Sequence, residues 1–305
     1  MSRVVFFGSG QFATRILEQI HPEVALVVSQ PPKPKGRKGE PAMTPVHELA
    51  VKLGLEVRTP WKATEPEFLA ELEAGRFSVG VVASYGKILR KKLLDLFSIG
   101  CFNLHGSILP QYRGAAPIQR AIMDGQTKTG VTLIEMDEGM DTGDIVAIAE
   151  TPIGADETYG QLEDRLGEIA GYLTAHWLPR LLESDYPVIH QAHEVATYAP
   201  KIEPEERILN LEISAELAYN RYRALHPSPA TEMRFQDRSI KVLKAGYDPK
   251  SGPNGECHIT GNALKVFFHT GTLILYEVTP AGSRPMSGAE FARGSRLVSG
   301  DQWLQ

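Results

Sequence analysis

Residues 101–144 read CFNLHGSILPQYRGAAPIQRAIMDGQTKTGVTLIEMDEGMDTGD, and three polar side chains stand out in them: Asn103, His105 and Asp141. The apolar run Ile99-Gly100-Cys101-Phe102 ahead of Asn103 predicts a strand over 99–105. On a strand, residues two apart project from one face, so the Asn103 carboxamide and the His105 imidazole stand side by side. Asp141 falls in Asp137-Glu138-Gly139-Met140-Asp141-Thr142-Gly143, a glycine-rich turn of the kind that holds a carboxylate at a loop tip. Taken alone, an Asn-x-His pair is most often a satisfied structural pair. With a carboxylate added, the set has the parts that acyl transfer needs. An amide donates to an oxyanion, an imidazole moves a proton, and a carboxylate orients the imidazole.

Around this segment, strands and helices alternate. A buried strand over residues 3–7 runs into Gly8-Ser9-Gly10-Gln11-Phe12-Ala13, which opens a helix. The glycine spacing matches a dinucleotide fingerprint, but the next strand, Val24–Ser29, runs into Gln30-Pro31 and offers no acid for a ribose, so tight-turn chemistry is the better reading. A helix follows over 44–53, with Thr44 as N-cap and Pro45 in its first turn. Further strands are expected at 55–58, 78–84, 131–136 and 145–149, and helices at 65–74, 117–123 and from Asp156 to about Leu182. This order predicts a doubly wound, Rossmann-like α/β domain over 1–189, with its site at the carboxyl ends of the strands. Residues 190–207 read as a linker. Residues 208–305, with a helix at 213–225 and short strands at 232–235, 239–245, 263–268 and 272–278, predict a small β-barrel of the OB type.

Residues 30–43, QPPKPKGRKGEPAM, form a Pro/Gly-rich segment with Lys33, Lys35, Arg37 and Lys38 against a single acid, Glu40. Such a segment is either an ordinary solvated loop or a mobile basic finger that grips phosphates. The net charge of −5 gives no general nucleic-acid field. It is unevenly spread, since residues 201–305 carry 13 Lys/Arg against 12 Asp/Glu. A polyanion would have to be met by local patches. The two cysteines, Cys101 and Cys257, suggest neither a disulfide framework nor a metal site and suit a reducing compartment. The remaining histidines lack metal-ligand spacing. There is no apolar run long enough to span a membrane, and the apolar start is too short for a signal peptide.

The run Ser107-Ile108-Leu109-Pro110-Gln111-Tyr112-Arg113-Gly114-Ala115-Ala116-Pro117 resembles the Ser-Leu-Leu-Pro-x-Tyr-Arg-Gly-Ala-x-Pro signature of folate-dependent formyltransferases. Thr129–Thr132 and Met136–Asp144 continue the pattern of the methionyl-tRNA formyltransferases, as do Tyr198–Ile202 and Met286–Gly294. The chain departs from that pattern at Ser9-Gly10, at Asn210-Leu211 and at His226–Pro229. The resemblance implies transfer of a formyl group from 10-formyltetrahydrofolate, with no metal, to the α-amine of methionyl initiator tRNA, by a monomeric cytoplasmic enzyme. It implies Asn103, His105 and Asp141 as the catalytic residues. It implies a folate site at Tyr85, Gly86, Ile88, Ser107, Ile108, Leu109 and Pro110, and tRNA contacts from the basic loop at Lys33, Lys35, Arg37 and Lys38. Other readings remain open at this point: a formyltransferase acting on glycinamide ribotide or an amino sugar, or a folate- or RNA-binding module without catalysis.

Overall fold

The computed structural model describes residues 4–35 and 39–303. In chain order the elements are β1 (Val4–Gly8), α1 (Gln11–Ile20), β2 (Val24–Val28), β3 (Lys33–Lys35), β4 (Glu40–Ala42), α2 (Pro45–Lys52), β5 (Val57–Arg58), α3 (Pro66–Gly75), β6 (Val79–Ala83), α4 (Lys91–Leu94), β7 (Gly100–His105), β8 (Arg113–Gly114), α5 (Pro117–Met123), β9 (Lys128–Glu135), β10 (Ile145–Pro152), α6 (Tyr159–Leu182) and β11 (Tyr198–Ala199). They continue with α7 (Ala215–Leu225), β12 (Thr231–Phe235), β13 (Arg238–Asp248), β14 (Cys257–Thr260), β15 (Ala263–Phe267), β16 (Thr272–Pro280), β17 (Met286–Ser287) and α8 (Gly288–Gly294). Two compact units result. The first comprises residues 1–117, 128–152 and 163–199, and the second 118–127, 153–162 and 200–305.

The first unit is built on a seven-stranded sheet of order β10-β9-β7-β6-β1-β2-β5. The central strands β1 (VVFFG) and β6 (VGVVA) are buried along their whole length. Continuous apolar runs of this kind are what a parallel sheet covered on both faces selects. β5, β2, β1, β6 and β7 pair in parallel, giving a Rossmann-like core. α1 turns Phe12, Ala13, Ile16, Leu17 and Ile20 inward, an apolar stripe at helical spacing. Thr44 caps α2 as its sequence predicts, its hydroxyl accepting from the His47 amide at 3.1 Å.

Beyond β7 the sheet changes direction. β9 is antiparallel to β7, with Phe102 opposite Glu135 and His105 opposite Thr132, and β10 is antiparallel to β9. The segment 136–144 departs from β9 beside the start of β7, where Glu135 lies opposite Phe102, and brings Asp141 to Asn103 and His105. The basic segment is also more ordered in its described part than a plain loop, because β3 and β4 pair antiparallel with Lys33 opposite Ala42 and Lys35 opposite Glu40. Proline is tolerated in so short a ladder, where the missing N–H faces outward. Arg37 and Lys38 lie outside the described residues.

In the second unit, β12 to β16 form an antiparallel sheet of order β12-β13-β16-β15-β14, with β17 added beside β16. Among the described residues no ladder joins β12 to β14, so closure into a barrel is not seen. The buried side of this sheet packs with α7 and α8 around Met233, Phe235, Leu264, Leu275, Phe291 and Trp303. Sequence reading does not anticipate β14 or α8. α8 nevertheless carries a visible signal, since Ser287 and Glu290 form a capping box.

Candidate active site

The alternation of β7 puts Asn103 and His105 on one face, as expected, and the loop between β9 and β10 brings Asp141 to both. The Asn103 Nδ2 donates to Asp141 Oδ1 at 3.3 Å, and the His105 Nδ1 stands 3.5 Å from the same oxygen. The other carboxylate oxygen, Oδ2, accepts from the Gly114 amide at 2.8 Å. His105 is nearly enclosed, its side chain 6 % exposed, and its Nε2 lies 2.9 Å from the Tyr112 carbonyl. A carbonyl only accepts, so Nε2 carries a proton and donates there, which leaves Nδ1 turned to Asp141. One ring nitrogen is thus committed to the backbone, and only the Nδ1 side faces the other two residues of the trio.

The backbone at this place is unusual. Ser84, Tyr112 and Asp141 are non-glycine residues at positive φ, at 44°, 60° and 56°. Such conformations persist only where surrounding structure fixes them, and they concentrate at functional sites. Gly114 at φ 124° could not be replaced freely, since an added Cβ would lie 2.8 Å from the Ala199 carbonyl oxygen. Gly143 is closed to any side chain, because a Cβ there would sit 1.8 Å from the Glu135 carbonyl oxygen.

Two further residues belong to this place, and sequence reading passes over both as functional. Arg113 is 2 % exposed, and its Nε and Nη2 donate to Gln191 Oε1 at 3.1 and 2.6 Å. Gln191 is 5 % exposed, and its Nε2 donates to the carbonyls of Asp141 at 2.9 Å and Gly143 at 2.7 Å. Gln191 lies in the stretch that reads as a linker. The residues around it are bonded too. Ile189 bridges Ile145, and His190 Nδ1 meets Asp144 Oδ1 at 2.7 Å. Thr197 takes the Tyr112 amide on its hydroxyl and the Arg113 amide on its carbonyl, both at 2.9 Å. Composition gives no sign of this, because a lone glutamine in a polar segment carries no periodicity to read.

The expected folate set divides by exposure. Tyr85 is 2 % exposed, packs edge-on against Phe7 at 5.6 Å, and among the described residues has no hydrogen-bond partner for its hydroxyl, whose pKa burial pushes up to about 12. Its side chain is core, and its carbonyl already receives Gln30 Nε2 at 2.7 Å. Gly86 turns at φ 72°, and Ile88 beyond it is 77 % exposed. Ser107 is fully buried, its hydroxyl donating to the Gln111 carbonyl at 2.6 Å. Leu109 packs with Ile134 and Ile145. Ile108 and Pro110 are half-buried, so in this set Ile88, Ile108 and Pro110 are the apolar side chains with surface to offer. In the basic set, Lys33 is exposed and its Nζ donates to Gln30 Oε1 at 2.7 Å. Among the described residues no three His, Cys, Asp or Glu side chains cluster as metal ligands, and no helix is long and apolar enough to cross a membrane.

Comparison with known proteins follows the same division of the chain. Residues 2–176 match the formyl transferase family and residues 201–296 the formyl transferase C-terminal domain. Methionyl-tRNA formyltransferase of Symbiobacterium thermophilum is 37 % identical, covering 99 % of this chain and 95 % of its own. That of Thermus thermophilus is 40 % identical, covering 98 % of each. Among solved structures, an N-formyltransferase from Helicobacter canadensis, crystallised with folinic acid and dTDP-3-aminofucose, superposes with a TM-score of 0.68 at 19 % identity, over 90 % of this chain and 98 % of that one. HypX from Aquifex aeolicus, in complex with tetrahydrofolic acid, gives 0.66 at 16 % identity, over 98 % of this chain and 48 % of that one. These two likenesses concern the fold. Two family models on successive parts of the chain and full-length relatives near 40 % identity put the matter plainly: the chain belongs to the methionyl-tRNA formyltransferase family.

Proposed function

We propose that this enzyme moves a formyl group from 10-formyltetrahydrofolate to the α-amine of methionine esterified to initiator tRNA. The observation that carries the reading is the convergence of Asn103, His105 and Asp141 in a chain whose full length matches formyltransferases that act on methionyl-tRNA. The neutral amine attacks the formyl carbon, a C–N bond forms, and the carbonyl oxygen takes negative charge. Asn103 Nδ2 is the donor for that oxygen, and His105 protonated at Nδ1 supplies a second, charge-assisted donor. Asp141, which touches both, accepts the proton that leaves the attacking nitrogen, directly or through water. As the oxyanion re-forms the carbonyl, the bond from the formyl carbon to N10 of the folate breaks, and N10 takes the proton that Asp141 accepted, directly or through water.

The donor's ring is read onto the turn at 85–88, where Gly86 and exposed Ile88 can lie along it and Tyr85 contributes backbone only. Ile108 and Pro110 extend this surface, with Ser107 and Leu109 holding their loop from beneath. The basic segment with Lys33, Lys35, Arg37 and Lys38 is read as the grip on the acceptor end of the tRNA. We keep residues 1–189 as the catalytic region, completed by 190–199 of the stretch expected as a linker, with 200–207 as the connection and 208–305 as an OB-type RNA platform. The long β13, with register shifts between Val242 and Ala245, supports that last reading, because bulges bend strands as barrels require. The two buried free cysteines suit a cytosolic enzyme, which we read as a monomer. Incubation with 10-formyltetrahydrofolate and charged initiator tRNA should give formylmethionyl-tRNA. Absence of that product, or equal formylation of an amino sugar nucleotide, would overturn the assignment.

A further inference from the structure

We propose that Gln191 is a positioning residue for the transfer step, holding Asp141 in place through the backbone of its loop. The inference rests on the catalytic reading of Asp141 given above. A primary amide is suited to the task, because it offers two N–H bonds and an oxygen from one planar group. Here every part is in use. Both N–H bonds go to carbonyls of the 136–144 loop, those of Asp141 and Gly143, at 2.9 and 2.7 Å. The oxygen receives the Arg113 guanidinium twice.

Arg113 leads directly to the second support of the site. Its neighbours Tyr112 and Gly114 supply the carbonyl that binds His105 and the amide that binds Asp141. Gln191 therefore joins the two loops whose spacing sets the distance between His105 and Asp141. Asp141 sits at positive φ, a conformation that its own residue type tolerates but does not enforce. Gly143 can adopt its place only without a side chain. The loop thus depends on outside bonds for its shape, and Gln191 is buried deeply enough that water does not replace those bonds.

Two variants of the full chain test this. Gln191→Met keeps the volume and removes all four bonds. Gln191→Glu keeps a partner for the buried guanidinium and removes only the N–H donors, setting a carboxylate against two carbonyls, so it guards against simple loss of folding. In each, kcat for formylation of charged initiator tRNA should fall about 10- to 100-fold, the range expected when a reacting group is displaced by about an ångström. The KM for 10-formyltetrahydrofolate should stay within about twofold, and Gln191→Glu should remain folded at the assay temperature, its melting temperature lowered by the carboxylate's repulsion from two carbonyls but less than that of Gln191→Met, which leaves the buried guanidinium unpaired. Introduced into Asp141→Ala, either change should lower kcat by less than about threefold more, because residues acting through one another are not additive. A folded, fully active Gln191→Glu beside a strongly impaired Asp141→Ala overturns this inference alone, as does a fully multiplicative loss in the double variant. Near-normal turnover of Asp141→Ala overturns the catalytic reading, and this inference with it.

Discussion

Asp141 and Lys33 both sit on segments that leave the same sheet, and both carry charge that the proposed reaction uses, yet their surroundings differ. Around Asp141 both carboxylate oxygens, its own carbonyl and the next loop glycine's carbonyl are bonded to residues from three other segments. Lys33 stands exposed on a three-residue strand, and among the described residues one hydrogen bond, to Gln30, holds its ammonium. The contrast follows from what each must do. Transition-state charge is stabilised only by donors and acceptors already at the right distance, and an ångström of slack forfeits most of the effect. Phosphate charge is felt through a Debye length, and a lysine can meet it from many positions. Order is concentrated where geometry matters and is sparse where charge suffices.

The sharpest way to break this comparison is at the trio. Asn103→Ala, His105→Ala and Asp141→Ala should each lower turnover by about 10²-fold or more, with the affinity for the folate donor changed far less. Steady-state kinetics with donor titration reads both, and near-normal turnover of any one removes that residue from the mechanism. Next comes the basic segment. Changing Lys33, Lys35, Arg37 and Lys38 together to alanine should weaken binding of charged tRNA. It should also flatten the salt dependence, by about one unit of slope for each phosphate left without a cationic partner. Folate binding should not move. Identical affinity and slope for parent and variant would return the segment to an ordinary solvated loop. Within that set Arg37→Ala should carry a disproportionate share if its guanidinium makes a bidentate phosphate contact, whereas Lys33→Ala alone should do little.

The smallest expected effect lies beneath the Asp141 loop. Burial raises the pKa of Glu135 above its usual value, the Asp144 charge adds to this, and the hydrogen bond from Tyr186 opposes it. A carboxyl whose folded pKa is raised contributes fully below its unfolded value, near 4.5, and loses that contribution as pH rises through the folded value. Glu135→Gln should therefore melt close to the parent at about pH 4 and somewhat above it at about pH 7. Curves that stay parallel across that range would show that the base of the loop is not under electrostatic strain.

The sheet is legible because its strands are long apolar runs or clean alternations: β1, β6, β7 and β9 fall within a few residues of their expected spans. Asn103 and His105 can be placed together from strand periodicity alone. Their meeting with Asp141 can be expected from composition, but its route cannot, because nothing in a sequence says that β9 enters the sheet antiparallel. β14 escapes sequence reading because a four-residue strand is too short for alternation to register. Tyr85 reads as a ligand neighbour, yet its ring turns inward because Phe7 and the apolar cluster beside it offer an aromatic more burial than the turn does. Gln191 and Arg113 are invisible as a pair, since a hydrogen bond between residues 78 apart leaves no mark in local pattern.

That separation has a consequence for how the enzyme comes into being. Every residue of the trio is added to the growing chain well before Gln191, Thr197 and Ala199, and those later residues close the loops from 110 to 116 and from 136 to 144 around it. A nascent chain stopped near residue 185 holds all three side chains, the whole strand order of the sheet and the Gly114 amide that meets Asp141, but lacks the Gln191 and Thr197 bonds that tie the two loops together. The geometry of the trio should then be completed abruptly with chain length, as the last short segment of the first unit is delivered about two-thirds of the way through synthesis, before the second unit that we read as the RNA platform is made.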